Sequence, residues 1–297
     1  MTMQINTNLG ALNTQRALSK SSLSLASSME RLSSGMRINS AKDDAAGLAI
    51  SDRMTSVIRG QTVAVRNAND GISMAQTAEA AMGSITDTLQ RMRDLGVQAA
   101  NTGGVSSADR QKMQTEFKQL GLEIKRIVDN TTFNDKKVLA GALQGANFQV
   151  GAGTSTDAGN QISITISTFG AVSGLSKLFG STTAAGAGVQ GNAAPASIGS
   201  GASAPVVRSA IDNIDIAIKN VNKHRATLGA VQNRFTTTIS NLQSSIENQS
   251  SARSRIMDAD FAVETANLSR NQILQQAGTA MLAQANQSSQ GVMSLLR

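Results

Sequence analysis

The amino-acid sequence predicts a mainly α protein: an elongated antiparallel bundle of long helices, with paired terminal coiled-coil helices and a small β-hairpin. Three observations predict it. Apolar residues recur at three-four spacing through residues 45–100 and again through 207–253, the repeat of a helix that buries one stripe. The only two prolines, Pro195 and Pro205, fall in one stretch, so nothing breaks a long helix elsewhere. The apolar period drops from 3.6 to 2 only near residues 148–166, where a strand pair is expected.

The elements follow in chain order. Residues 6–36 read as a helix with a sparse stripe: Ile5, Leu9 and Leu12, then Leu25, Met29, Leu32 and Met36. This is a/d spacing, suited to packing on another helix. Gly35 weakens its end, and Asp43-Asp44 mark the start of the next helix, where acids suit the dipole. That helix carries Ile50, Met54, Val57, Ala64, Ala68, Ile72, Ala75, Met82, Ile85, Leu89 and Met92 on one face, up to the Asn101-Thr102-Gly103-Gly104 break. Its span corresponds to about 80 Å, too long for one element of a spherical domain. Ser106 or Ser107 caps a third helix whose stripe is Met113, Phe117, Leu120, Ile124 and Ile127.

Residues 133–139 read as a loop with turn residues. Phe148 and Val150, then Ile162, Ile164 and Ile166, alternate with polar neighbours across a glycine-rich connector, which reads as a β-hairpin with a long loop. Residues 180–205 are low in complexity and read as an exposed loop with little core. Helical spacing then returns, from Ile211 and Ile214 to Leu242 and Ile246. A last helix shows seven-residue spacing at Leu274, Met281, Ser288 and Leu295, and at Gly278, Ala285 and Val292.

This order divides the chain into an inner coiled-coil domain (1–44 plus 254–297), a long-helix bundle domain with the hairpin (45–168 plus 207–253) and a short variable outer loop (169–206). The terminal helices are poor in large apolar residues and rich in Ser, Asn, Gln and Ala. A two-helix coil with such a seam is marginal in water. Folding coupled to association supplies the missing burial; an ordinary intramolecular coiled coil is the plain alternative.

Composition narrows the function. Aromatic residues make up 2% of the 297, with no Trp and no Tyr, which is poor material for shaping a pocket. The absence of Cys removes disulfides, thiolate metal sites and Cys nucleophiles, and the single His224 argues against imidazole chemistry. The net charge of +7 comes from Lys and Arg scattered beside acids, without aromatic interleaving, so no nucleic-acid partner is expected. No stretch approaches a membrane span, and residues 1–30 carry no apolar leader. An enzyme is not expected, nor any catalytic residue, cofactor or metal.

Several local patterns point to chemistry and fail on context. Gly186-Ala187-Gly188-Val189-Gln190-Gly191 matches G-x-G-x-x-G, with Asp212 beyond it. No strand leads into it and no helix follows. The pairs Asp43/Asp44 and Asp258/Asp260 are better read as helix-end acids than as a metal site. Four Asn-x-Ser/Thr patterns, beginning at Asn130, Asn248, Asn267 and Asn286, are short and mostly helical.

Longer motifs carry a resemblance. Ile5-Asn6-Thr7-Asn8, the stretch Arg31-Leu32-Ser33-Ser34-Gly35, and Ile38-Asn39-Ser40-Ala41-Lys42-Asp43-Asp44-Ala45-Ala46-Gly47-Leu48-Ala49-Ile50 closely resemble bacterial flagellin. So do Gln232-Asn233-Arg234-Phe235, Ser254-Arg255-Ile256-Met257-Asp258-Ala259-Asp260-Phe261, Gln275-Gln276-Ala277-Gly278 and the final Ser294-Leu295-Leu296-Arg297. The resemblance spans roughly residues 1–170 and 207–297, and the outer variable region is minimal.

The resemblance implies a secreted homopolymer: the subunit of the extracellular bacterial flagellar filament, used for swimming motility. Filament-core assembly is expected of Leu9, Leu12, Leu25, Leu32, Leu274, Met281, Val292, Leu295 and Leu296. The partners it implies are the flagellar export apparatus, a C-terminal-binding flagellin chaperone, the filament cap protein and the hook–filament junction protein. The junction protein has similar ends and is the nearest alternative identity. The family also carries a segment sensed by the vertebrate innate immune receptor Toll-like receptor 5. Leu89-Gln90-Arg91-Met92-Arg93-Asp94-Leu95 and Glu116 resemble it, with Gln90, Arg91, Leu95 and Glu116 at the receptor-binding positions and Asp94 where Glu is more usual.

Overall fold

The computed structural model describes residues 7–142, 145–153, 159–165 and 197–295; at 141–142 and 288–295 it describes the backbone alone. The elements are α1 (Leu9–Ser34), α2 (Ala45–Ala100), α3 (Ser107–Asn130), β1 (Thr132–Phe133), β2 (Lys136–Lys137), a π-helical turn (Val138–Ala142), β3 (Ala146–Gln149), β4 (Gln161–Ile164), α4 (Ala204–Met257) and α5 (Phe261–Leu295). The chain divides into two units, Met1–Ile58 with Ile246–Arg297, and Arg59–Ser245. The expected long helices, paired ends and hairpin are all present.

In the terminal unit, α1 packs along α5. The Asn8 side chain caps α1 by accepting from Ala11 N at 3.0 Å, and its amide donates to Ala285 O at 2.9 Å. Gly35 ends α1 in the left-handed region, φ +70°, where a side chain would be strained. Asp260 caps α5 through Ala262 N and Val263 N, and Asp44 caps α2 through Gly47 N. Between these caps the two connectors meet as an antiparallel bridge, Met36 with Asp258. Arg37 N donates to Met257 O at 2.6 Å, and Ala259 N to Gly35 O at 3.0 Å.

The second unit holds the apolar core, and it follows the three-four stripes. Ala68, Ala75, Ala78, Met82, Ile85, Leu89 and Met92 of α2 meet Phe117 and Ile124 of α3 and Ile214, Val221, Leu228 and Phe235 of α4, all buried. Along α2, small alanines alternate with Met, Ile and Leu in this buried stripe, so aliphatic side chains fill the core with few aromatic residues.

β3 and β4 pair antiparallel, with Ala146 opposite Ile164 and Gln149 opposite Gln161. Alternation holds: Ile162 and Ile164 are buried while Ser163 is exposed. Val150 N extends the ladder by donating to Asn160 O at 2.8 Å.

Two details depart from the expectation. Residues 133–139, read as a loop, contain a second, minimal hairpin: Thr132 pairs with Lys137 and Phe133 with Lys136. Asn134 and Asp135 form its turn with φ 48° and 61°, the double left-handed geometry that keeps right-twisted strands together. The following turn buries Val138 and Leu139.

The second departure lies at 197–203, the described end of the low-complexity stretch read as having little core. Ile198 is fully buried, and its N–H donates to Gln114 Oε1 at 2.5 Å. The buried Arg110 guanidinium donates to three carbonyls, Gly199 O at 3.1 Å, Ser200 O at 2.9 Å and Ala202 O at 3.3 Å. Small residues let this strap lie flat on α3: a Cβ at Gly199 would sit 3.0 Å from Gln111 Oε1. Residues 166–196, with the G-x-G-x-x-G match and most of the outer loop, lie outside the described residues.

Candidate assembly surface

The faces that α1 and α5 turn inward differ from those the periodicity favours. On α1 the buried and half-buried positions include Ala11, Thr14, Leu18, Ser21, Leu25, Ser28 and Leu32. On α5 they include Glu264, Leu268, Asn271, Gln275, Gly278, Leu282 and Ala285. Both sets step by three and four. Ser21 Oγ donates to Asn271 O at 3.2 Å, and a Cβ on Gly278 would lie 3.2 Å from Leu18 Cδ1. With Asn8 on Ala285, these contacts fix an antiparallel register. The seam is therefore small and polar, and its few leucines supply most of the apolar burial.

The large apolar side chains lie outside this seam: Leu9, Leu12, Leu23 and Ile273 point away from it, and Met29, Leu274 and Met281 flank it. Leu9 is 59% exposed, Leu12 45%, Leu23 72% and Met29 57%. Ile273 is 65% exposed, Leu274 50% and Met281 59%. At 100° per residue, Leu9, Leu12 and Leu23 share one side of α1, and Val263, Leu274 and Met281 one side of α5.

The structure thus separates the nine expected assembly residues. Leu25 and Leu32 are half-buried in the α1–α5 seam, whereas Leu9, Leu12, Leu274 and Met281 are in solvent. Leu274 and Met281 are not seam residues, because Gln275 and Leu282 take those positions. Val292 and Leu295 are described by backbone alone, and Leu296 lies outside the described residues. Sequence reasoning missed Leu23, Val263 and Ile273; a helical wheel centred on Leu9 and Leu274 would have found the first two.

The second proposed surface lies in the other unit. Gln90, Arg91 and Glu116 are exposed. Arg91 Nε and Nη2 both meet Glu116 Oε1, at 2.9 and 2.7 Å, with the two side chains 52% and 44% exposed. Such a pair adds little stability by itself. Two residues on, Arg93 pairs with Asp215 at 2.8 Å. Leu95 departs from the expected set: it is 2% exposed and belongs to the core, because its position continues the buried α2 stripe from Met92 toward Ala99. It offers no side-chain surface to a partner, so the accessible patch is Gln90, Arg91 and Glu116.

Other concave or titratable features are modest. A shallow groove of about 430 Å³ is lined by Val150, Gln161, Ile162, Asn233, Arg234 and Thr237, among others. Thr237 and Thr238 spend their hydroxyl protons on α4 carbonyls. Partial burial, with Lys223 beside it, pushes the His224 imidazole below its ordinary value. Among the described residues, no group of three or more acids and histidines could hold a metal, and no helix is long and apolar enough to cross a membrane.

Long helices with an aliphatic core, ends paired through a weak seam and an apolar face left in water define a helical structural subunit. Family comparison agrees. Residues 5–144 match the bacterial flagellin N-terminal helical region, and residues 211–296 the bacterial flagellin C-terminal helical region. A flagellin of Bacillus subtilis is 45% identical over 315 residues, covering 99% of this chain and all of that protein. Flagellin FlaB2 of Treponema pallidum is 43% identical over 297 residues, with the same coverage. The crystal structure of Bacillus cereus flagellin aligns with a TM-score of 0.44 and 26% identity, over 60% of this chain and 88% of that one. The chain belongs to the bacterial flagellins, the structural subunits of the flagellar filament that serves motility.

Proposed function

We propose that this chain polymerises through the outward apolar faces of its terminal unit, and that these faces become the core of the filament. The observation that carries the reading is the inversion along α1 and α5. Serine, asparagine, glutamine and glycine fill much of the seam, while Leu9, Leu12, Leu274 and Met281 stay in water. Full burial of one such side chain is worth about 1.5–3 kcal/mol, so several buried together outweigh the ordering cost of docking. Leu25 and Leu32 contribute by holding α1 on α5, and the family resemblance alone assigns Val292, Leu295 and Leu296 to the same role. The inner coiled-coil domain is 1–44 with 254–297, the bundle domain 45–168 with 207–253, and the outer loop 169–206.

The test is seeded growth. Purified protein added to sheared filament seeds is expected to elongate them, and Leu274→Asp is expected to stop elongation while leaving circular dichroism unchanged. Undiminished growth of that variant would remove the assembly role of this face.

The same reading extends to partners. The subunit is secreted by the flagellar export apparatus, held beforehand by a chaperone on its C-terminal helix, and built into an extracellular filament between the hook–filament junction protein and the cap protein. Gln90, Arg91 and Glu116 form the patch offered to Toll-like receptor 5. Its support is their exposure and the Arg91–Glu116 pair, which holds a guanidinium and a carboxylate in fixed positions for an incoming polar partner. Arg91→Ala is expected to reduce receptor signalling in a reporter-cell assay. Signalling at native level would remove the receptor role of Arg91.

A further inference from the structure

The sequence holds 12 methionines, and the fold sorts sharply the nine whose side chains are described. Met82 and Met92 are fully buried and Met74 is 4% exposed, all in the apolar core of the second unit. Met36, Met54, Met113 and Met257 are half-buried. Among the described methionines, Met29 on α1 and Met281 on α5 stand apart at 57% and 59% exposure; both lie in the terminal unit, Met281 on the side of α5 that carries Leu274 and Met29 at the flank of the α1–α5 seam. A thioether is the apolar side chain that a mild two-electron oxidant attacks, and attack needs access to the sulfur.

We propose that Met29 and Met281 are oxidation sites at which peroxide converts the unassembled subunit into a form that does not polymerise, and that polymerisation protects them. This rests on the assembly reading above. In the step, the thioether sulfur gives an electron pair to one peroxide oxygen. The S–O bond forms as the O–O bond breaks. Sulfur is oxidised by two electrons, peroxide is reduced, and the departing oxygen leaves as water after taking up a proton. The product, methionine sulfoxide, is polar and chiral, and it sits where a flexible apolar group is needed for packing between copies. The core methionines, shielded in the folded subunit, serve as an internal standard. The change is reversible by methionine sulfoxide reductases, which act on the two sulfoxide epimers separately.

The experiment treats full-length monomer, and in parallel filaments grown from it, with graded hydrogen peroxide. It then maps sulfoxide by peptide mass spectrometry and measures elongation of untreated seeds by quenched, treated monomer. In monomer, Met29 and Met281 are expected to oxidise before Met74, Met82 and Met92, by about tenfold or more. In filaments their oxidation is expected to slow by a similar factor. Elongation is expected to fall in step with sulfoxide at these two positions and to return after treatment with reductases of both epimer specificities. Equal oxidation of Met29 and Met281 in monomer and filament would overturn the proposal. So would full elongation by monomer carrying both sulfoxides, or loss of elongation only at doses that also modify the core methionines. If untreated monomer itself fails to elongate seeds, the assembly reading falls. If untreated and oxidised monomer elongate alike, only the oxidation proposal does.

Discussion

The ring of Phe148 meets the ring of Phe235 edge-on, with centroids 5.7 Å apart and planes at 88°. The contact fastens strand β3 to helix α4, and Gly71 of α2 completes it: a Cβ there would lie 2.7 Å from Phe235 Cζ. The buried ring is thus wedged between a hairpin and a helix backbone. Gly71→Ala gains about 1 kcal/mol of helix propensity but overpacks the wedge at about 1–3 kcal/mol, so a net loss of stability is expected. Phe235→Ala is expected to cost about 3–5 kcal/mol. Denaturant unfolding of the full chain checks both. A Gly71→Ala variant more stable than the parent would contradict the wedge.

Arg110 is expected to behave as a clamp. Arg110→Met keeps the stem but withdraws the donor from three carbonyls of the 197–203 strap. Leaving them unpaired is expected to cost about 2–3 kcal/mol. The local sign is faster amide exchange at Ile198, whose N–H is bonded to Gln114. Unchanged exchange at Ile198 would mean that Gln114 holds the strap alone.

Gly278 tests the closeness of the α1–α5 seam. A methyl group there meets only the flexible end of Leu18, at 3.2 Å. Gly278→Ala is therefore expected to be tolerated, or to stabilise α5 through a propensity gain of up to about 1 kcal/mol. Gly278→Leu has no such room, and is expected to separate the helices and lower the helix signal in circular dichroism. Equal behaviour of the two variants would show that the seam is looser than the contact implies.

Asp43 gives the connector between α1 and α2 a dependence on pH. Its carboxylate accepts from Ser40 N at 3.0 Å, from Asn39 N at 3.2 Å and from Ser40 Oγ at 3.1 Å. These bonds, the Ser40 amide first, hold its pKa below the ordinary value. A carboxyl lowered by folding contributes stability that is complete above its unfolded value of about 4 and lost as pH falls through the folded one. The Ser40 amide resonance is expected to move only below about pH 4. In Asp43→Asn it is expected to lie near the acid position already at neutral pH. Movement centred well above pH 4 would point to another group.

Much of this architecture was legible because α2, α3 and α4 bury one continuous stripe each. Leu89, Phe117 and Ile214 follow from spacing alone, since a helix shows its buried face in its own sequence. The α5 seam was not legible for a physical reason. Gly278 and Ala285 belong to two neighbouring heptad stripes, one completed by Leu274 and Met281, the other by Gln275 and Leu282. Hydrophobicity favours the first, and the register against α1 selects the second. The Asn134–Asp135 hairpin was hidden because two-residue strands carry no alternation. The strap at 197–203 was hidden because its partner, Arg110, lies 89 residues away from Gly199. On the proposed receptor patch, the resemblance located Gln90, Arg91 and Glu116 at the surface, but only the fold shows that Leu95 faces inward.

The bridge between Met36 and Asp258 sets the order in which the chain matures. Its companion bond, from Arg37 to Ile256 O, spans 219 positions, whereas the second unit joins local hairpins, β1–β2 and β3–β4, to contacts of shorter span such as Gly71 with Phe235. Closing so large a loop carries an entropic penalty that local pairing avoids. The terminal pair is therefore expected to zip last on folding and to fray first. The α1–α5 pair is then the part of the fold whose order can most readily respond to what it meets.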